Sequence, residues 1–173
     1  MTSQFPINMF IQGFQIYLYS LLPAFCSLLY MNQTIFHLAF PITDIAQTKA
    51  FYIDGLGCIP GRETHHALIL NLYGHQLVAH MTKEPLAPQR GVYPRHFGLI
   101  FSSKLEWENL LERSQQQHLK FRETPKQRFV NSPLEHYTFF LEDPFYNLME
   151  FKYYRNLEAV FGSYNSAPIG DLV

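Results

Sequence analysis

Two histidines and one glutamate have the types and the placement to hold a divalent metal: His37, His96 and Glu150. Two imidazoles plus one carboxylate, with coordination positions left open, suit a non-haem Fe(II) ion. His37 lies in the apolar run Ile35 to Phe40 and His96 in the run Arg95 to Ile100. The two-residue period of a strand sets each histidine on one face beside a small residue, Ala39 or Gly98, with the opposite face apolar. Glu150 stands in Leu148-Met149-Glu150-Phe151, where alternation puts Leu148, Glu150 and Lys152 on one face and Met149, Phe151 and Tyr153 on the other. A carboxylate in an apolar strand needs a metal, a base or solvent beside it. Each residue also has a plainer reading: a core histidine satisfied by backbone, or an exposed strand face that Lys152 would suit. The equivalent placement of the two histidines is what favours the metal.

That equivalence extends to the elements around them. Seven residues after His37 comes Asp44, and seven after His96 comes Ser103. Both are good helix N-caps, with capping-box partners Gln47 and Glu106 three positions on. The first helix carries Ala46, Ala50 and Phe51 and is expected to stop near Gly55; the second carries Trp107, Leu110 and Leu111 ahead of the polar run Ser114 to Gln117. Strands are expected over 58–63, 67–73 and 75–82, then over 119–124, 134–141 and 147–154. Gly74 and Asp143-Pro144 supply the turns, and the three prolines between Pro85 and Pro94 mark a linker. The pattern predicts an α+β domain over residues 31–155, made of two βαβββ modules at about 34–83 and 93–154, with a tail over 156–173.

Composition narrows the partners. Lys plus Arg total 13 and Asp plus Glu 14, a formal charge of -1, so no basic surface points to nucleic acid. A small-molecule substrate fits better. Cys26 and Cys58 are the only cysteines, too few for a disulfide framework or a thiolate zinc site, which agrees with a reducing cytoplasm. From Met1 to Thr43 there is no Asp, Glu, Lys or Arg. The run has no basic segment before it, as a secretory signal would, and Pro6, Asn8, Gln12, Gln15 and Pro23 interrupt it as a membrane span. Residues 1–30 are therefore read either as an extension upstream of a natural start at Met31 or as an apolar N-terminal helix.

Across about residues 34 to 154 the chain resembles the vicinal oxygen chelate superfamily, which includes glyoxalase I, bleomycin-resistance proteins and extradiol ring-cleaving dioxygenases. His37, Asp44 with Ala50-Phe51-Tyr52 and Leu56-Gly57, His96, and Asp143-Pro144 leading to Asn147 and Glu150 carry the resemblance. It implies two curved mixed sheets around a central metal pocket with helices outside, and His37, His96 and Glu150 as metal ligands; a homodimer is a further expectation for the chain. The fourth ligand of glyoxalase-type members would fall near Val78, which cannot bind metal. This favours a dioxygenase arrangement with Fe(II), in which the segment Asn71 to Leu77 resembles the one carrying the acid-base histidine, here His75. His80 shares side-chain parity with Val78 and is the other candidate, as a base or as a fourth ligand; with it the set would suit nickel or zinc, and manganese also fits such oxygen and nitrogen donors. One departure is Phe140, which stands where ring-cleaving members have a tyrosine; His136 and Thr138 share its face. The resemblance also leaves room for a glyoxalase-like lyase or isomerase, and for a metal-free binding protein.

Overall fold

The computed structural model describes residues 34–165 and 169; the expectations for residues 1–30 fall outside them. Among the described residues, eight strands form two four-stranded sheets. In the first, β1 (His37–Ile42), β2 (Ile59–Glu63), β3 (Ala67–Leu72) and β4 (His75–Met81) lie in the order β1-β4-β3-β2. In the second, β5 (Phe97–Phe101), β6 (Phe121–Arg128), β7 (His136–Glu142) and β8 (Leu148–Tyr154) lie in the order β5-β8-β7-β6. The first strand of each module pairs in parallel with the last, and the remaining pairs are antiparallel. The two sheets do not join into a closed barrel.

Between the first two strands of each module runs a helix. Helix α1 (Ile45–Lys49) starts at Asp44, whose carboxylate accepts from the Gln47 backbone N–H at 2.7 Å. The sequence suggested one continuous helix to Gly55; instead the chain widens into a π-helical turn over Ala50–Gly55, with Leu56 N–H bonding back to Phe51 O at 2.9 Å. Helix α2 (Lys104–Gln116) starts at Ser103, whose hydroxyl accepts from Glu106 N–H at 3.4 Å. It runs on through the polar residues from Ser114 to Gln116, where the buried Ser114 hydroxyl donates to Leu110 O at 2.7 Å. Strand β6 likewise passes Pro125 and continues to Arg128. It lies at the sheet edge, where a missing N–H costs no ladder bond, and two register shifts absorb the irregularity.

The main core lies on the helix-bearing faces. Phe40 and Ile42 of β1, Leu68 and Leu70 of β3, Phe139 and Leu141 of β7, and Met149 and Phe151 of β8 meet Phe51, Tyr52, Trp107 and Leu110 in one cluster. Burying side chains of this size contributes about 1.5–3 kcal/mol each, upper estimates against an extended chain. Polar contacts lock the modules in register. Arg113 of α2 donates to Gly55 O and Asp54 O, both at 2.7 Å, and so satisfies carbonyls at the end of the π turn. The Tyr52 hydroxyl donates to buried Asp143 at 2.9 Å. Asp143 also accepts from Phe145 N, Asn147 N and Asn147 Nδ2, each at 2.8 Å, while Asn147 Nδ2 reaches Pro41 O at 3.0 Å. Asp143 and Asn147 therefore hold a hairpin and a module junction. No helix among the described residues is long and apolar enough to cross a membrane.

Candidate metal centre

On the second sheet β8 has β5 on one side and β7 on the other, so Glu150 faces Gly98 across one ladder and Phe140 across the other. Its side chain shares the helix-free face with Leu148 and Lys152, as alternation required. There Val92 and Tyr93 of the inter-module linker pack on Phe140 and Leu148 as a small second cluster. Glu150 is 5% exposed. Its Oε1 accepts from the Thr138 hydroxyl at 2.7 Å; its Oε2 lies 3.2 Å from His96 Nε2 and 2.9 Å from Lys152 Nζ. Burial pushes the carboxyl up, but the bonds from His96, Lys152 and Thr138 outweigh it and bring its pKa down to about 2. The carboxylate is therefore charged at any physiological pH.

His96 is fixed from both ends. Its Nδ1 lies 2.9 Å from Val92 O, which can only accept, so Nδ1 carries the proton and Nε2 faces the carboxylate. The bond to Glu150 raises its pKa against the opposing effect of burial. The Phe140 ring stands edge-on to the imidazole with centroids 5.4 Å apart. Gly98 has a specific task here. A Cβ at position 98 would sit 1.7 Å from Glu150 O, so the absent side chain makes way for the backbone of β8 itself.

On the first sheet His37 lies on the helix-free face of β1 with Ala39 and Pro41, all three exposed, while Phe40 and Ile42 turn into the core. His37 Nδ1 is 2.7 Å from Gln76 Oε1. The register His37 to Gln76, Ala39 to Val78 and Pro41 to His80 puts Gln76, Val78 and the exposed His80 on this same face. His75 has the opposite parity, with Leu77 and Ala79, and its Nδ1 accepts weakly from Phe36 N–H at 3.4 Å. That placement sets His75 across the sheet from His37, against the expectation that it serves the same site.

The structure thus brings His96 and Glu150 together and leaves His37 on the other sheet. Among the described residues no three His, Cys, Asp or Glu side chains gather closely enough for one ion. Among the described residues, the expected set of His37, His96 and Glu150 is not gathered at one point. Two partners of Glu150 were visible in the sequence without their role: Thr138 was placed on the correct face, and Lys152 pointed to an exposed strand when it is in fact the carboxylate's ion pair. The Val92 carbonyl left no sequence signal, since any residue supplies one. A cavity of about 680 Å³ opens beside His96 and is lined by Ala39 and Pro41 of β1, Gln89 and Arg95 of the linker, and Tyr146 of the β7–β8 turn.

The donor set on the second sheet fits a divalent ion. A buried, charged carboxylate and an imidazole whose Nδ1 is tied to a backbone carbonyl bring an oxygen and a ring nitrogen to one point, where a metal would take the place of the Nε2 proton that Glu150 now accepts, the usual support for a metal-binding histidine. Lys152 competes for the same oxygen.

The Glyoxalase/Bleomycin resistance protein/Dioxygenase superfamily matches over residues 34–151. Among solved structures, a glyoxalase/bleomycin resistance protein/dioxygenase from Alicyclobacillus acidocaldarius is 36% identical, with a TM-score of 0.71 over 75% of this chain and 97% of that one. The fosfomycin resistance protein FosX from Listeria monocytogenes shares the fold at 16% identity, with a TM-score of 0.57 over 75% of this chain and 98% of that one. A glyoxalase/bleomycin resistance protein/dioxygenase from Nocardioides does so at 16% identity and a TM-score of 0.54, over 78% of this chain and 93% of that one. A comparison with curated proteins gives no match. With the family match running from residue 34 to residue 151 and a solved structure 36% identical to it, the chain belongs to the glyoxalase/bleomycin resistance protein/dioxygenase superfamily.

Proposed function

We propose that the chain is a metal-dependent enzyme acting on a small substrate with two adjacent oxygens, and that its metal site is completed between two copies of the chain. The observation that carries this reading is the buried Glu150 carboxylate with His96 at 3.2 Å, a pair that is one ligand short of the 2-His-1-carboxylate set. His37 is the matching histidine of the other module, exposed on a helix-free face. A two-fold dimer that sets the first sheet of one copy over the second sheet of the other would join them twice, since a two-fold interface repeats every contact.

His37, His96 and Glu150 would hold the ion, which supplies Lewis-acid chelation of the two substrate oxygens. Fe(II) suits this set best, and with it the reaction class is extradiol-type dioxygenation. Thr138 holds the carboxylate's second oxygen in place, and the Phe140 and Tyr93 rings pack edge-on against the His96 imidazole and fix its orientation. His80, on the His37 face, is the candidate to move the substrate's proton, whereas His75 lies on the other side of β4. The face shared by His37 and His80 also supports a second reading, in which His80 is a fourth ligand and a nickel or zinc ion serves a glyoxalase-like lyase or isomerase.

Mixing His37→Ala with Glu150→Ala tests the shared site. Each variant alone should lose its metal. Random re-pairing makes about half the dimers mixed, each with one intact site of two, so about a quarter of the wild-type metal should return. Full metal in either variant alone sinks the ligand set, and no recovery on mixing sinks the sharing. Anaerobic purification followed by metal analysis and oxygen uptake separates the two readings: iron with uptake supports the first, nickel or zinc without uptake the second.

A further inference from the structure

We propose that Gln76 is the positioning residue of His37: its side-chain amide holds the imidazole in the tautomer whose Nε2 is bare, with that nitrogen available to a metal on the helix-free face of the first sheet. Gln76 would thereby prepare the one exposed member of the ligand set proposed above, on which this role rests. His37 is the first residue of β1, and β4 is the only ladder neighbour of that strand among the described residues. An exposed imidazole in such a place turns freely unless something ties it, and ordering it would then oppose ligand binding.

The start of β4 supplies the tie. Gln76 stands directly opposite His37 in the parallel ladder, and its backbone N–H donates to Phe36 O at 2.9 Å, which fixes the chain just before the histidine. Its side chain is half-buried, and its Oε1 lies 2.7 Å from His37 Nδ1, the only polar contact of that ring among the described residues. An amide oxygen only accepts, so the Nδ1 facing it carries the proton and Nε2 keeps the lone pair that a metal needs. The Nδ1 of His96 also ends on a carbonyl oxygen, that of Val92 at 2.9 Å. Such partners fix both the tautomer and the direction of a metal-binding histidine. One module draws its oxygen from the backbone, which no substitution removes, and the other from a side chain. His37 is therefore the ligand that can be loosened without altering any ligand.

Nitrogen NMR of the full chain, labelled at histidine, stripped with a chelator and held at mildly alkaline pH, reads the tautomer with no metal present. His37 Nδ1, assigned by its loss in His37→Ala, should resonate as a protonated nitrogen. Gln76→Glu, whose carboxylate also only accepts, should keep it so, whereas Gln76→Leu fills similar space without an acceptor and should let the proton pass to Nε2. The second readout is the affinity for Co(II), measured by competition with a chromophoric chelator. Gln76→Leu should weaken it about 10- to 100-fold, the scale on which such supporting partners act, and Gln76→Glu should restore it. A residue that only shaped the fold would shift the urea midpoint and leave the Nδ1 proton where it was. A bare Nδ1 in the unsubstituted chain, which decides even where Gln76→Leu fails to fold, would overturn the proposal. So would a folded Gln76→Leu with an unmoved Nδ1 resonance, or one that keeps its Co(II) affinity where His37→Ala has lost it. Failure of the ligand set shows differently: His37→Ala would keep its Co(II), and the metal-directed part of the proposal would fall with it.

Discussion

Replacing Gly98 with alanine should damage stability and the metal site together, through the backbone. A Cβ at position 98 meets Glu150 O at 1.7 Å, and real Cβ atoms essentially never approach anything closer than 3.0 Å. The strands must therefore separate by 1.3 Å or more (3.0 minus 1.7) at that point. A backbone hydrogen bond of normal length does not survive such a shift, because beyond about 3.5 Å it has lost most of its energy. The β5–β8 ladder is parallel here, with Gly98 opposite Glu150, so the bonds flanking the pair are the ones strained.

Losing two of them at about 1 kcal/mol each, with some penalty for groups left buried and unpaired, gives a destabilisation of roughly 2–4 kcal/mol. The stiffer unfolded chain that alanine confers returns only about 0.4–1 kcal/mol. For a domain of this size the melting midpoint should fall by roughly 6–15 °C. Urea and thermal unfolding of the metal-free protein measure the first effect, and metal content under conditions where the variant stays folded measures the second. A Gly98→Ala protein within about 0.5 kcal/mol of the original, with unchanged metal affinity, would refute the reasoning, because it would mean that β8 does not press on β5 at Glu150.

Three other outcomes are expected. Tyr52→Phe removes one of four donors from Asp143 and should cost about 1–2 kcal/mol in urea unfolding, whereas Asp143→Ala strands several buried groups at once and should cost about 3–5 kcal/mol; in a double-mutant cycle the Tyr52 effect should vanish when Asp143 is absent. Glu150 is charged down to about pH 2 when folded but protonates near 4.5 when unfolded, so the metal-free protein should keep this stabilisation above pH 4.5 and lose it as the pH falls towards 2, by at most about 3 kcal/mol, and Glu150→Gln should flatten that part of the profile. Burial pushes the Cys58 thiol up to about 12, so in a Cys26→Ser background it should resist a thiol reagent at pH 8 until denaturant is added; rapid labelling of that native variant would contradict its place in the core.

What the sequence made legible was what depends on local pattern. Asp44 and Ser103 cap the helices they were expected to cap, and the alternation in β8 put Glu150 with Lys152 and away from Phe151, because capping and strand parity are decided within a few residues. The same logic gave Thr138 and Phe140 the face of Glu150. Misreadings came where a distant partner decides. Pro125 reads as a strand stop unless the strand is known to be an edge, and Ser114 reads as a helix stop unless its hydroxyl is seen to turn back on Leu110 O. The resemblance of its segment points to His75, although the parity of His75 against Gln76 and Val78 puts it on the far side of β4 from His37. The equivalence of His37 and His96 in the repeat was real, but equivalence in sequence fixes only where each lies in its own module. Each occupies the helix-free face of its own sheet, and pairing β1 with β4 and β5 with β8 within separate sheets leaves those faces to be joined by something other than the ladders. On the proposed dimer, a site that needs both would be decided by association, a level of organisation that the local pattern of a single chain does not encode.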